Sequence, residues 1–177
     1  MKAKYPVFRG TKACLFLLFI TSILWNGCSF SFKGTSIASN IKTYYVEDFI
    51  LDQAASIAPA DLDIIFTNRL INKIRDESSL NYDDENPDII FSGNITRFTV
   101  NPAAPIEGNT TLLNRLDISA KINYEVVENE KDNWTKNYTE FEDFPSDQDL
   151  GSVQDGLIEI ILDDMLEKVF NDAFSNW

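Results

Sequence analysis

The chain has 177 residues, with 15 lysines and arginines against 28 aspartates and glutamates and no histidine, for a formal charge of −13. That balance works against a general nucleic-acid surface, whose affinity comes from neutralising phosphates with basic side chains, and against purely electrostatic docking on anionic lipid. With 44% hydrophobic residues and few glycines and prolines, the sequence belongs to a folding chain, not a disordered acidic tail.

The chain opens with Lys2, Lys4, Arg9 and Lys12 and no acid, then runs almost unbroken in apolar residues from Ala13 until it stops at Gly27-Cys28. A basic leader ahead of a short apolar core builds a secretory signal peptide, whereas a membrane-spanning helix needs roughly 20 apolar residues. A small residue directly before a cysteine resembles a bacterial lipobox, in which Cys28 is lipidated and becomes the new N-terminus. Trp25 departs from that pattern, standing where leucine is commonest. Ordinary secretion with cleavage nearby is the plainer alternative. Residues 1–27 are read as the leader, 28–40 as a lipidated tether and 41–177 as one domain. Without the leader, 177 − 27 = 150 residues remain with a charge of 11 − 28 = −17, because the leader holds four basic residues and no acid.

Ile41 to Phe49 is rich in β-branched and aromatic residues and reads as a first strand. After a connection over 50–58, Leu62, Phe66, Leu70 and Ile74 recur every four residues, with Pro59, Asp61 and Asp63 at the start and Lys73 and Arg75 at the end. That is an amphipathic helix with both ends signed correctly for its dipole. A polar, acidic loop over 76–87 leads to a second strand over 88–100, with Ile89, Phe91, Gly93 and Ile95 on one face. Asn101 to Thr111, with two prolines and a glycine, exceeds the usual 2–5 residues of a hairpin connection. Ile106 within it has no evident place in the domain's own core and becomes a candidate partner contact.

The third strand has the cleanest pattern. Leu116, Ile118, Ala120, Ile122, Tyr124 and Val126 alternate with Asp117, Ser119, Lys121, Asn123 and Glu125, giving one core face and one face toward solvent or a partner. A polar turn over 128–132 leads to a fourth strand over 133–144 carrying Trp134, Tyr138 and Phe141. Ser152 and Asp155 form a capping signature before a long second helix with a broad apolar face. Asp155, Glu159, Asp163 and Glu167, spaced by four, stack as one acidic stripe along that helix. A solvated face is the simpler reading of the stripe, and pairing with a basic partner the sharper one. The order β-α-β-β-β-α predicts an α+β domain, a four-stranded sheet with both helices on one face.

Chemistry is poorly provided for. The two cysteines are Cys14 in the leader and Cys28, so the domain holds no thiol for a disulfide, a zinc site or a nucleophile. With no histidine, the commonest general base and the usual triads are missing. No phosphate-binding glycine loop, nucleophile elbow or paired-cysteine pattern occurs. Asp83-Asp84-Glu85 lacks the alternation and central glycine of a calcium loop. Asn94, Asn109, Asn133 and Asn137 head glycosylation sequons, best read as chance in a bacterial chain. No catalytic residue, metal or cofactor is expected.

Cys28-Ser-Phe-Ser-Phe-Lys-Gly-Thr-Ser-Ile37, Ile41-Lys-Thr43, Asn114-Arg-Leu116, Phe141-Glu-Asp-Phe144, Ser152-Val-Gln-Asp-Gly-Leu-Ile-Glu159 and Asn176-Trp177 resemble, in the same order, the Bacteroidetes branch of the lipopolysaccharide-assembly lipoprotein family LptE. The resemblance implies two helices on a four-stranded sheet, and a plug seated in the outer-membrane β-barrel LptD that assists barrel assembly and lipopolysaccharide delivery to the cell surface. Some members are credited with binding lipopolysaccharide through basic residues. Arg97, Arg115 and Lys121 are the candidates in this chain, although no motif gathers them and a solvated strand residue is the simpler reading of each. Two other readings stand beside the plug: a periplasm-facing lipoprotein that binds a lipid for another transporter, and an acidic-residue hydrolase. Cys28→Ala is expected to leave an uncleaved or soluble form, because stable anchoring needs more than one acyl chain. Unchanged acyl labelling and membrane retention in that variant would contradict lipidation at Cys28.

Overall fold

The computed structural model of the protein describes residues 37–103 and 112–175. The leader, Cys28 and the tether up to residue 36, the segment 104–111 with Ile106, and the terminal Asn176-Trp177 lie outside the described residues. Along the chain come β1 (Thr43–Val46), β2 (Ile50–Leu51), α1 (Leu62–Glu77), β3 (Asn81–Tyr82), β4 (Ile89–Pro102), β5 (Leu113–Val126), β6 (Trp134–Pro145) and α2 (Leu150–Phe174).

The α+β expectation holds, with a six-stranded mixed sheet in place of four strands. The sheet runs β3-β1-β4-β5-β6, with β2 also paired to β4. β1 and β2 lie parallel to β4, and β1 parallel to β3, while β4, β5 and β6 form an antiparallel meander. The two added strands are dipeptides, Ile50–Leu51 and Asn81–Tyr82, too short to carry a period of their own.

Period two places the core. Leu116, Ile118, Ala120, Ile122, Tyr124 and Val126 of β5 are all buried, and β4 presents Ile89, Phe91, Ile95 and Phe98 beside them. Both helices cover this one face. Phe66 of α1 packs on Phe49, and the Tyr44 hydroxyl donates to the Ile71 carbonyl at 3.1 Å. Phe174 of α2 meets Phe91 and Tyr124 edge-on, and the Tyr138 hydroxyl donates to Asp172 at 2.7 Å. At roughly 1.5–3 kcal/mol per fully buried large aliphatic or aromatic side chain, this layer outweighs any surface ion pair.

Two details go further than the sequence reading, the second departing from it. Phe141 lies on the opposite face of β6 from Trp134 and Tyr138, since it pairs with Asp117 while they pair with Tyr124 and Ala120. The last helix begins at Leu150, and the Ser152 hydroxyl donates to the Asp149 carbonyl at 2.7 Å instead of capping toward Asp155.

Gly93 is required by space. A Cβ there would run into the Lys121 carbonyl oxygen and lie 2.8 Å from the Phe49 ring. The ring of Phe49 is buried and the carbonyl belongs to the sheet, so neither can yield cheaply. Gly93→Ala is expected to destabilise the domain by about 2–3 kcal/mol, the cost of overpacking a tight interior. Urea denaturation checks this, and a loss below about 1 kcal/mol would show that the sheet relaxes around the methyl group.

Candidate functional site

The sheet face away from the helices carries no helix or strand among the described residues. Register across β4, β5 and β6 builds it in rows: Ser92, Asn123 and Thr135; Asn94, Lys121 and Asn137; Arg97, Ser119 and Thr139; Thr99, Asp117 and Phe141; Asn101, Arg115 and Asp143. Hydroxyls and amides dominate, and many are tied to each other. Asn123 donates to Ser92 at 3.3 Å and accepts from Thr135 at 2.9 Å, while Ser119 and Thr139 share a bond of 2.9 Å. The result is a polar surface tied together by its own hydrogen bonds.

Arg97 reaches this face through an irregularity. On β4 the odd-numbered residues Ile89, Phe91, Gly93 and Ile95 face the helices, and unbroken alternation would send Arg97 after them. A register shift between Ile95 and Arg97 inserts Thr96 as an extra residue, so that Arg97 pairs with Ser119 and the core-facing positions become Phe98, buried, and Val100, partly buried. The Thr96 hydroxyl anchors the bulge on the Ser119 carbonyl at 3.2 Å. Bulges commonly re-aim a side chain in this way. Arg97 therefore stands diagonally across from Lys121, both exposed and both without an ion pair among the described residues.

The third basic candidate is engaged. Arg115 grips Asp143 through Nε at 2.7 Å and Nη2 at 2.9 Å, and its guanidinium lies 3.7 Å over the Phe141 ring. These hydrogen bonds hold the Asp143 carboxyl below the usual carboxylate range. Arg115 thus shares the face with Arg97 and Lys121 without sharing their freedom.

The acidic stripe of α2 is also largely engaged, by the other helix. Arg69 meets Asp163 at 2.6 Å and Glu159 at 3.5 Å, and Lys73 meets Glu167 at 2.5 Å and Glu77 at 3.0 Å. Only Asp155 of the four is exposed with no ion pair among the described residues. Arg69 and Lys73 are spaced by four on α1, as the carboxylates are on α2, so two complementary stripes form a seam between the helices. That spacing is the sequence signal by which Arg69 and Lys73 could have been found. Beside the seam lies a cavity of about 520 Å³ lined by charges, among them Arg69, Lys73, Asp163 and Glu167.

The sequence profile of the lipopolysaccharide-assembly family LptE matches residues 41–173, nearly the whole described domain. This chain belongs to the LptE family. A search of curated proteins finds no match. Among solved structures, the domain is similar to a hypothetical protein from Chlamydia trachomatis, with a TM-score of 0.53 at 8% identity over 77% of this chain and 99% of that one. It also matches a minor lipoprotein from Acinetobacter baumannii, with a TM-score of 0.48 at 13% identity over 74% and 91% of the two chains. A lipoprotein from Neisseria meningitidis gives 0.41 at 9% identity over 73% and 99%. Such identities speak to fold alone, and membership of LptE rests on the profile match.

In this LptE-family chain the seam has a pH signature. The hydrogen bond from Lys73 holds the Glu167 carboxyl below its ordinary value, its partial burial notwithstanding. A carboxylate whose value falls on folding stabilises the native state above its unfolded value, about 4.3, and loses that contribution as pH falls below it. Burial disfavours the charge on Lys73, but the bonds to Glu167 and Glu77 outweigh it and leave the amine raised, a contribution lost only in strong alkali. Lys73→Met is therefore expected to shrink the stability lost between about pH 6 and about pH 3. At neutral pH, partial exposure limits the pair to about 1 kcal/mol or less. Urea midpoints at both pH values check this, and an unchanged acid loss would remove the seam from the account.

Proposed function

We propose that this LptE-family chain is an outer-membrane lipoprotein, acylated at Cys28 and facing the periplasm. It seats as plug and assembly partner in an LptD-like β-barrel and serves lipopolysaccharide transport to the cell surface without catalysing a reaction. The observation that carries this is the family match over residues 41–173. The open sheet face supports it, because the lumen of an outer-membrane barrel is polar and a surface of hydroxyls and amides suits such a wall. The segment 101–111, with Ile106, is proposed to insert into the barrel. Arg97 and Lys121, without an ion pair among the described residues, are the proposed contacts for lipopolysaccharide phosphates; Arg115 is held by Asp143 beside them.

A lipid carrier serving another transporter is less well supported. The charged cavity of about 520 Å³ beside the helix seam is lined by Arg69, Lys73, Asp163 and Glu167, a poor lining for acyl chains.

The test is detergent extraction of native membranes followed by capture of the full-length protein. A stoichiometric β-barrel should copurify, and Arg97→Gln with Lys121→Gln should leave the barrel bound while lowering bound lipopolysaccharide about tenfold, the size of losing two charge-assisted contacts. Capture of lipid without a barrel would replace the plug reading by the carrier reading.

A further inference from the structure

Residues 43–68 contain five acids, Glu47, Asp48, Asp52, Asp61 and Asp63, and no lysine or arginine. The fold gathers two parts of this stretch around a cavity of about 330 Å³, lined by Asp48, Phe49 and Ile50 from the β1–β2 link and by Asp63, Ile64 and Thr67 from α1. The floor is fixed. Phe49 is buried, its N–H donates to the Thr67 hydroxyl at 3.0 Å, and that hydroxyl donates to the Asp63 carbonyl at 2.9 Å. The walls are not covered: Ile50 is 60% exposed and Ile64 61%. Asp48 and Asp63 have no ion pair among the described residues, and the nearest cations along α1, Arg69 and Lys73, point to α2.

Two exposed isoleucines would accept any apolar group, and two carboxylates without an ion pair any cation, one oxygen of Asp63 also accepting from the Ile64 N–H at 2.8 Å. Side by side in one cavity they specify a group with an aliphatic stem and a cationic tip. Lysine and arginine are such groups, laying their methylenes on apolar surface while the charged head stays with polar partners. We propose that this cavity receives a lysine or arginine side chain of the β-barrel partner, its stem along Ile50 and Ile64 and its head between Asp48 and Asp63. This rests on the plug reading above. It adds a defined contact on the flank of the domain, separate from the open sheet face.

The test uses the full-length chain coexpressed with its barrel. Asp48→Asn with Asp63→Asn, and Ile50→Ser with Ile64→Ser, are compared with Ile160→Ser, an exposed isoleucine of α2 outside the cavity. Thermal melts confirm that each variant folds, and a photo-crosslinker in place of Ile64 identifies the barrel residue it touches. Both cavity variants should recover about tenfold less barrel, the scale of losing an anchoring side chain, with the carboxylate variant's deficit narrowing at high salt and the control unchanged. The cross-linked peptide should contain lysine or arginine. If wild type recovers the barrel and folded cavity variants recover as much, or if the peptide lacks a basic residue, the cavity proposal is overturned while the plug stands. If wild type recovers no barrel, the plug reading itself fails.

Discussion

The even-numbered face of β5 must be dry. Leu116, Ile118, Ala120 and Ile122 are fully buried and Tyr124 and Val126 nearly so, and both helices exist as structured elements largely because they cover this face. α2 supplies Ile158, Ile161, Leu162, Met165, Leu166, Val169 and Phe170 to the same layer. Because the side-chain period of a strand is two, a slip of one residue would exchange this row with Asp117, Ser119, Lys121 and Asn123. Register is therefore fixed by the cost of burying those polar groups, and the polar face inherits its order from the apolar one.

Two local devices on β4 adjust that register to what surrounds it. Gly93 lets Phe49 approach the sheet where any side chain would collide with it. The extra residue at Thr96 then turns the rest of the strand over, burying Phe98 and exposing Arg97. Without the bulge, a guanidinium would face the helices, and an unpaired charge there would cost several kcal/mol, on the order of the effective desolvation penalty of a buried ion. The same device places Arg97 near Lys121, so a feature of packing brings together two cations without an ion pair among the described residues.

What could be read beforehand follows from what is local. β5 and both helices declare themselves by periodicity, and the sheet's two-faced character follows from them. The dipeptide strands β2 and β3 exist only by pairing with β4 and β1, information that no short window contains. Phe141 shares its strand with Trp134 and Tyr138, but parity puts it under Arg115 on the other side. The acidic stripe of α2 was visible as a stripe. Its partners Arg69 and Lys73, more than ninety residues away, become partners only when the helices lie together. Arg97 and Lys121 share one face only through a bulge that the sequence marks with nothing more than a threonine.

We propose that the polar sheet face is turned toward the barrel wall while the apolar layer beneath the helices holds the domain together behind it. The most direct measurement places a photo-crosslinker singly at Asn137, exposed on the edge strand β6 of that face, and at Asp164, exposed on α2. Irradiation in intact cells should cross-link position 137 strongly to the barrel and position 164 weakly or not at all. Strong cross-linking at 164 with none at 137 would contradict the account, because the helices would then be the bound surface and the ordered polar face only a wet one.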